Sequence, residues 1–414
     1  LVTQFIGVSG VFYYLRSRFG LLSATLGSVA FMFLPYRALD LYVRGALNEL
    51  MAISLIPWLL YGIDRVLKGN SFHARWIYFF SLILFALLTT HNLSVLMVAP
   101  VLLIYALIVW IERGRPMKPL LYLAYAGILG VGLSSFYFFP SYLEKDFTRV
   151  EHLTDGYSHY DHHFLYIRQL FWGAWGFGGS IFGPEDGMSF MIGIPQLAFV
   201  IIGSALLAVN LLKSKLKISL NKSRWIAYFF LIVFGVASFL TLFRSKPIWD
   251  AVSIMRYFQF PWRFHVLISI AVPVLIGAYS SLLGRKKRVA LLIAGFVLFA
   301  GFNLQYFQPE ELLDNPNHFY YTEPTRISRE MSGILPDYQP IAMNTIPPEF
   351  EQRVSLYPED AGTISLEVDR THELFAKIDL SREATVRFHV VYFPNWRVYL
   401  DGEVVEQEVV ETMG

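Results

Sequence analysis

Residues 93–111 carry no charged side chain, and neither do residues 77–88. As a helix rising 1.5 Å per residue, a run of that kind approaches the ~30 Å hydrocarbon core of a bilayer. Similar runs recur along the chain between polar clusters, a pattern of membrane spans rather than of buried core helices. Charged residues make up only 16% of the chain, where a soluble domain carries about a quarter. Spans are expected at 1–15, 19–35, 46–63, 76–90, 93–111, 119–140, 190–212, 225–243, 264–283 and 289–307. The expected fold is therefore a polytopic all-α membrane bundle of about ten transmembrane helices over residues 1–307. Residue 1 is Leu, already inside an apolar run and with no charged leader before it. Truncation at both ends is expected.

The positive charges decide orientation. Alternate connections, beginning with the first, hold 17 Lys and Arg in short loops: Arg16 and Arg18, then the 65–75, 113–118, 213–224 and 285–288 groups. The remaining connections hold nine over about twice the length. The positive-inside rule places the first set in the cytoplasm and residues 308–414 outside it. The expected location is thus the cell membrane, multi-pass. A net charge of +2 gives no basis for a nucleic-acid partner. The absence of cysteine excludes disulfides, thiol catalysis and Cys-ligated zinc.

The tail follows a different pattern. Residues 363–369 alternate Ile364, Leu366 and Val368 with polar neighbours, and Val386, Phe388 and Val390 do the same over 385–391. Asp401-Gly402 is a type I′ hairpin signal, and Pro394-Asn395 marks a second turn. An antiparallel β-sandwich is expected over residues 308–414, with the strands from about residue 360.

Long outside connections are usually functional. Loop 141–189 is rich in aromatics, His and acids, while loop 244–263 carries Trp249, Phe260 and Trp262, which fit half-buried interfacial segments. In the first complete outside loop Arg37, Asp40 and Arg44 stand at i, i+3 and i+7, on one face of a short helix. Two arginines at a bilayer surface suit a lipid phosphate, because guanidinium binds phosphate bidentately. A plain ion-paired cap on a re-entrant turn accounts for the same residues. Asn48 and Glu49 open the next span, and an ionisable group at that depth must face protein or water. His91-Asn92 is a polar pair wedged between apolar runs at the same level; helix-to-helix hydrogen bonding is its alternative role. Glu144, Arg256 and Arg263 complete the polar groups near that surface. The expected catalytic set is Asp40, Glu49, His91 and Glu144. The expected substrate-binding set is Arg37, Arg44, Asn48, Asn92, Arg256 and Arg263.

The glycine-rich 173–187 stretch has Ile181 where a dinucleotide fingerprint needs its third glycine, and it joins no strand to a helix, so a tight loop is expected. No P-loop occurs and no nucleotide cofactor is expected. The His and acids between Glu151 and His163 leave a divalent metal open, but their spacing matches no ligand motif, and His162 and His163 cannot point the same way.

Several segments carry a resemblance: Phe12-Tyr-Tyr-Leu-Arg16, Leu34-Pro-Tyr-Arg-Ala-Leu-Asp-Leu-Tyr-Val-Arg-Gly-Ala-Leu-Asn-Glu49, Ile56-Pro57, His91-Asn92, and Gly132-Leu-Ser-Ser-Phe-Tyr-Phe-Phe-Pro140 with Glu144. Together they resemble the bacterial and archaeal membrane proteins called 6-pyruvoyl-tetrahydropterin synthase-related, although nothing here is similar to the soluble pterin enzyme. Tyr392-Phe-Pro-Asn-Trp396 and Tyr399-Leu-Asp-Gly402 resemble the exoplasmic domain of YfhO-like proteins, regarded as relatives of GT-C glycosyltransferases. The resemblance implies transfer of a sugar from a polyprenyl-phosphate donor to a polysaccharide or glycolipid acceptor, with membrane lipid as a partner. It also implies a catalytic aspartate in a first outside loop that would precede this chain. The alternative expectation is a non-catalytic protein of surface polysaccharide assembly, or a lipid-linked carrier.

Overall fold

A computed structural model describes residues 1–68, 72–150, 154–213, 222–312, 323, 339–343 and 352–409. The chain divides into two compact units, Leu1–Tyr142 with Leu153–Asp314, and Leu143–His152 with Asn315–Gly414.

The first unit is helical: α1 Val2–Phe19, α2 Leu21–Met32, α3 Pro35–Ala38, α4 Leu47–Lys68, α5 Ala74–Thr90, α6 Asn92–Glu112, α7 Met117–Leu133, α8 Ser135–Leu143, α9 Ile167–Phe171, α10 Ile194–Lys213, α11 Lys222–Thr241, α12 Lys246–Ala251, α13 His265–Ser281 and α14 Arg285–Asn303. Among the described residues four helical stretches are long and apolar enough to cross a membrane: α4, α6, Pro261–Ser281 and Arg285–Tyr306. The number rises to six if two bent pairs each count as one span. Helices α5, α10 and α11 are apolar but shorter in the stretch that qualifies.

Each bend has a local cause. Proline at the start of α3 forces Leu34 into extended backbone, because its ring disfavours helical geometry in the residue before it. The axis turns by 47° there, and the chain continues from α3 through a π-turn, Leu39–Val43. Carbonyls at this break meet side-chain donors. Gln196 Nε2 donates to Phe33 O at 3.0 Å, Arg37 donates to Phe31 O at 3.3 Å, and Asn303 Nδ2 holds Gln196 by its Oε1 at 2.9 Å. Between α7 and α8 the turn is 67°, at Ser134, whose Oγ bonds back to Val131 O at 2.9 Å.

Two helices form the centre. In Pro261–Ser281, 94% of the apolar window is buried, and in α4 83%; the values for α6 and Arg285–Tyr306 are 33% and 17%. Small residues permit close approach at the centre. A Cβ on Gly27 of α2 would lie 2.7 Å from Pro273 O of α13, and one on Gly10 of α1 would lie 2.8 Å from the Trp58 ring of α4. The outward faces carry large apolar side chains, among them Leu103, Ile128, Ile232, Ile293 and Val297, all more than half exposed. An apolar surface of that extent is unfavourable in water and neutral in lipid.

The second unit is β-rich. Strand β1, Val354–Tyr357, pairs antiparallel with β4, Thr385–Phe388; β2, Gly362–Arg370, with β3, Glu373–Leu380; and β5, Val398–Leu400, with β6, Glu403–Val405. The last pair turns at Asp401 and Gly402, both with positive φ, as an I′ turn requires. The expected antiparallel strands and hairpin are present, but the described strands pair two by two rather than as a sandwich. Leu366, Phe375, Leu380, Tyr399 and Leu400 stand exposed, and the described residues supply no second apolar layer of the kind a sandwich has. Residues 147–149 pair with 339–341 in the same unit, through Arg149 N to Gln339 O at 3.1 Å and Ile341 N to Phe147 O at 3.0 Å.

Candidate functional site

The break at Leu34–Pro35 places four polar side chains where a continuous helix would have carried them past one another. Tyr36 and Asp40 are fully buried, and α4 begins just beyond the turn with Glu49, 1% exposed. Arg44 joins them. Its guanidinium donates to Asp40 Oδ1, to Glu49 Oε2 at 3.0 Å and to Tyr36 Oη at 3.3 Å. The Tyr36 hydroxyl donates to the other Glu49 oxygen. Arg263 approaches from the turn before α13, with Nε 3.7 Å from Glu49 Oε2, while its Nη1 donates to Phe258 O at 3.0 Å and to Gln259 Oε1 at 2.5 Å. Two cations and two carboxylates therefore balance, as burial demands. The remaining Asp40 oxygen, Oδ2, has no hydrogen-bond partner among the described residues.

Arg44 lies 4.3 Å over the Trp262 ring, close enough for a cation–π contact. Trp262 stacks on Phe260 at 4.9 Å and on Phe190 at 5.1 Å. Its indole N–H donates to Ser180 Oγ at 3.2 Å, Ser180 Oγ is 3.0 Å from His163 Nδ1, and His163 Nε2 faces Tyr157 O at 2.5 Å. The chain is satisfied when His163 donates from Nε2 and accepts from Ser180. Burial pushes this imidazole down to about 4; the hydrogen bond to Tyr157 O opposes the shift, while the positive charges of His162, Arg263 and His159 reinforce it.

A cleft of about 270 Å³ opens here, lined by Val43, Arg44, Tyr157, Gly178, Gly179, Met188, Phe260 and Trp262. Its wall is the glycine-rich loop. Gly178 N donates to Gly187 O and Gly187 N to Gly179 O, both at 2.9 Å, and a Cβ on Gly178 would come within 3.0 Å of Gly187 Cα. Glycine is needed there for two backbones to meet.

The structure gathers Asp40, Arg44, Glu49 and Arg263. It keeps His91 within electrostatic reach of Glu49 as the cap of α6, with Ser94 N donating to its Nδ1 at 3.2 Å. The other expected site residues lie elsewhere. Arg37 is buried against the Phe31 ring at 3.9 Å, Asn48 and Asn92 are exposed at helix starts, and exposed Arg256 sits beside the Tyr257 ring at 5.7 Å. Glu144 belongs to the second unit, where Asn395 Nδ2 donates to it at 3.1 Å. Trp249 and Trp262, expected at the interface and half-buried, are both 1% exposed, enclosed by aromatic rings. Sequence reasoning overlooked Tyr36, Tyr157, His163 and Ser180 as parts of one assembly. Tyr36 stood inside the arginine loop and His163 in the His-rich stretch, but nothing local joined the two. Among the described residues no group of three or more His, Asp or Glu could hold a metal ion; Glu151 and His152 lie outside those residues.

A second buried ionic cluster was also missed. Arg18, assigned to a loop from sequence, lies inside α1 and donates to both oxygens of Asp64 and, at 2.8 Å, to Glu112 Oε2; Tyr105 Oη donates to Asp64 Oδ1 at 2.9 Å. No protein-family model, curated protein or solved structure matches this chain.

Proposed function

We propose that this chain is the membrane-embedded part of a GT-C-like glycosyltransferase that moves a sugar from a polyprenyl-phosphate donor to a polysaccharide or glycolipid acceptor at the outer membrane face. The observation that carries the reading is the cleft in which a charge-balanced Arg44 lies over Trp262, with Phe260 and Tyr157 also in the lining. A guanidinium suits the phosphate and aromatic faces suit a sugar ring. In the transfer, the acceptor oxygen attacks the anomeric carbon as its proton passes to a carboxylate. The bond to phosphate breaks, and the departing oxygen keeps the electron pair beside Arg44. Asp40, with its unpartnered Oδ2, is the carboxylate assigned. Glu49, held by Tyr36 and Arg44, positions the guanidinium.

One observation favours a second reading, a non-catalytic lipid-phosphate carrier or assembly protein: the residues lining the cleft include no carboxylate. Assaying the full-length protein with a panel of polyprenyl-phosphate sugars separates the two. Under the first reading Asp40→Asn abolishes transfer while donor binding stays within about threefold. Donor binding without transfer in the unaltered protein establishes the second.

The reading includes ten spans, with the Arg44 end outside the cytoplasm. Its support is the helix found at each expected span, the outward apolar faces, and the two charged clusters near opposite ends of α4. Glu49 and Asp64 lie about 22 Å apart at helical rise, with an apolar stretch between them. Single cysteines at Ser71, which lies outside the described residues, and at Ser158 test it with an impermeant thiol reagent in intact cells. Ser158 labels and Ser71 does not; the reverse pattern inverts the topology.

A further inference from the structure

A second hollow, of about 570 Å³, lies in the first unit and is lined by Asp161, His162, Phe182, Phe243 and Lys246. It is tied to the Arg44 cleft by two chain segments. The first gives Tyr157 to the cleft and Asp161 and His162 to the hollow; the second gives Gly178 and Gly179 to the cleft and Phe182 to the hollow. Tyr157 Oη, donating to Ser180 O at 2.9 Å, joins the segments midway. Three to four residues separate the two sites along each segment, at most about 10–14 Å of chain.

The hollow differs in charge from the cleft, whose lining carries Arg44. Lys246 Nζ is 2.8 Å from both Asp161 and Asp250, and Tyr160 Oη donates to Asp250 at 2.8 Å. Of the charged groups that line the hollow, Lys246 and Asp161 pair with each other, and Asp250 outside it shares the same ammonium. A phosphate therefore finds no free cation in that pair, whereas hydroxyls can donate to the Asp161 carboxylate. The Phe182 ring is 65% exposed and Phe243 forms the other wall, supplying flat apolar faces. The volume lies within the range of small-ligand pockets.

We infer that the hollow bounded by Asp161, Lys246, Phe182 and Phe243 is a binding site for an uncharged saccharide, adjoining the Arg44 cleft along residues 157–162 and 178–182. As the acceptor end of the glycosyl-transfer reading it rests on that reading, but its test measures binding alone. Saturation-transfer NMR on the full chain in lipid nanodiscs, with a panel of neutral methyl glycosides and disaccharides, reads it directly. At least one sugar binds, and Phe182→Ala and Asp161→Asn each weaken that binding about tenfold. Glu185→Gln, an exposed change on the same loop, leaves it unaltered. Unchanged thermal unfolding of Phe182→Ala shows that the loss is local. If no sugar binds, if Phe182→Ala binds as well as the unaltered chain, or if farnesyl phosphate displaces the sugar by way of Phe182, the inference is overturned. Sugar binding without transfer by the full-length protein upholds the site and removes the glycosyltransferase reading.

Discussion

The two ends of α4 hold nearly the same side chains to different effect. At one end Arg18, Asp64, Glu112 and Tyr105 tie α1, α4 and α6 together, with Asp64 taking the arginine at both oxygens and the tyrosine as well. At the other end Arg44 is also ion-paired, to Asp40 and Glu49, with Tyr36 beside it, but this arginine lines a cleft and lies over Trp262, and one Asp40 oxygen stays without a partner among the described residues. The first cluster is closed and the second open. Charge and burial alone do not distinguish a clamp from a site; access and unsatisfied capacity do.

Five substitutions and a change of pH sharpen this contrast. The largest effect is expected at the closed end. Asp64→Ala leaves Arg18 buried without its bidentate partner and costs about 3–5 kcal/mol, read as a lowered unfolding midpoint in nanodiscs. A midpoint close to that of the unaltered protein would break the contrast from the closed side. At the open end Arg44→Ala weakens binding of a polyprenyl-phosphate probe about ten- to a hundredfold, corresponding to about 1.5–3 kcal/mol for charge-assisted bonds. Arg44→Lys recovers only part of this, because an ammonium lacks the planar fork. Equal binding in all three proteins leaves Arg44 as a cap.

Acidification acts on the open end through His163. His163 has its folded pKa pushed down to about 4, below its unfolded value. Its contribution to stability is thus present above the unfolded value of about 6.5, and it is lost as pH falls toward 4, where the unfolded chain binds the extra proton. Thermal unfolding between pH 7.5 and 4.5 shows the loss, and His163→Gln flattens that part of the profile; identical slopes would remove His163 from the account. The smallest effect is expected for Glu112→Gln, which removes one of the two ion pairs of Arg18 while keeping a hydrogen-bonding side chain. It costs about 1 kcal/mol. A loss as large as that of Asp64→Ala would make Glu112 the principal counterion instead.

Much of the fold was legible because its signals are local. Apolar runs between polar clusters located the helices, and Asp401-Gly402 fixed a hairpin that its backbone dihedrals repeat. Part of the site was legible for the same reason: Arg44, Asp40 and Glu49 stand within one short segment. Arg263 was expected in the same set, whereas Trp262, Tyr157, Ser180 and His163 were not readable as neighbours of Arg44, since they come from segments more than a hundred residues away in sequence. Arg37 shows the converse failure. It shares the expected helical face with Asp40 and Arg44, yet the break at Pro35 turns it onto the Phe31 carbonyl and ring.

By itself the sequence determined where apolar helices form, where proline and glycine interrupt them and where the strand pattern begins, because hydrophobic periodicity and backbone sterics act over a few residues. Only the tertiary structure decided which apolar helices became the interior. Windows of comparable apolarity in Pro261–Ser281 and Arg285–Tyr306 end 94% and 17% buried. Hydrophobicity cannot rank them where lipid and protein interior are equally apolar; the position of each stretch among the other helices does, with Gly27 admitting the backbone of α13 to close contact.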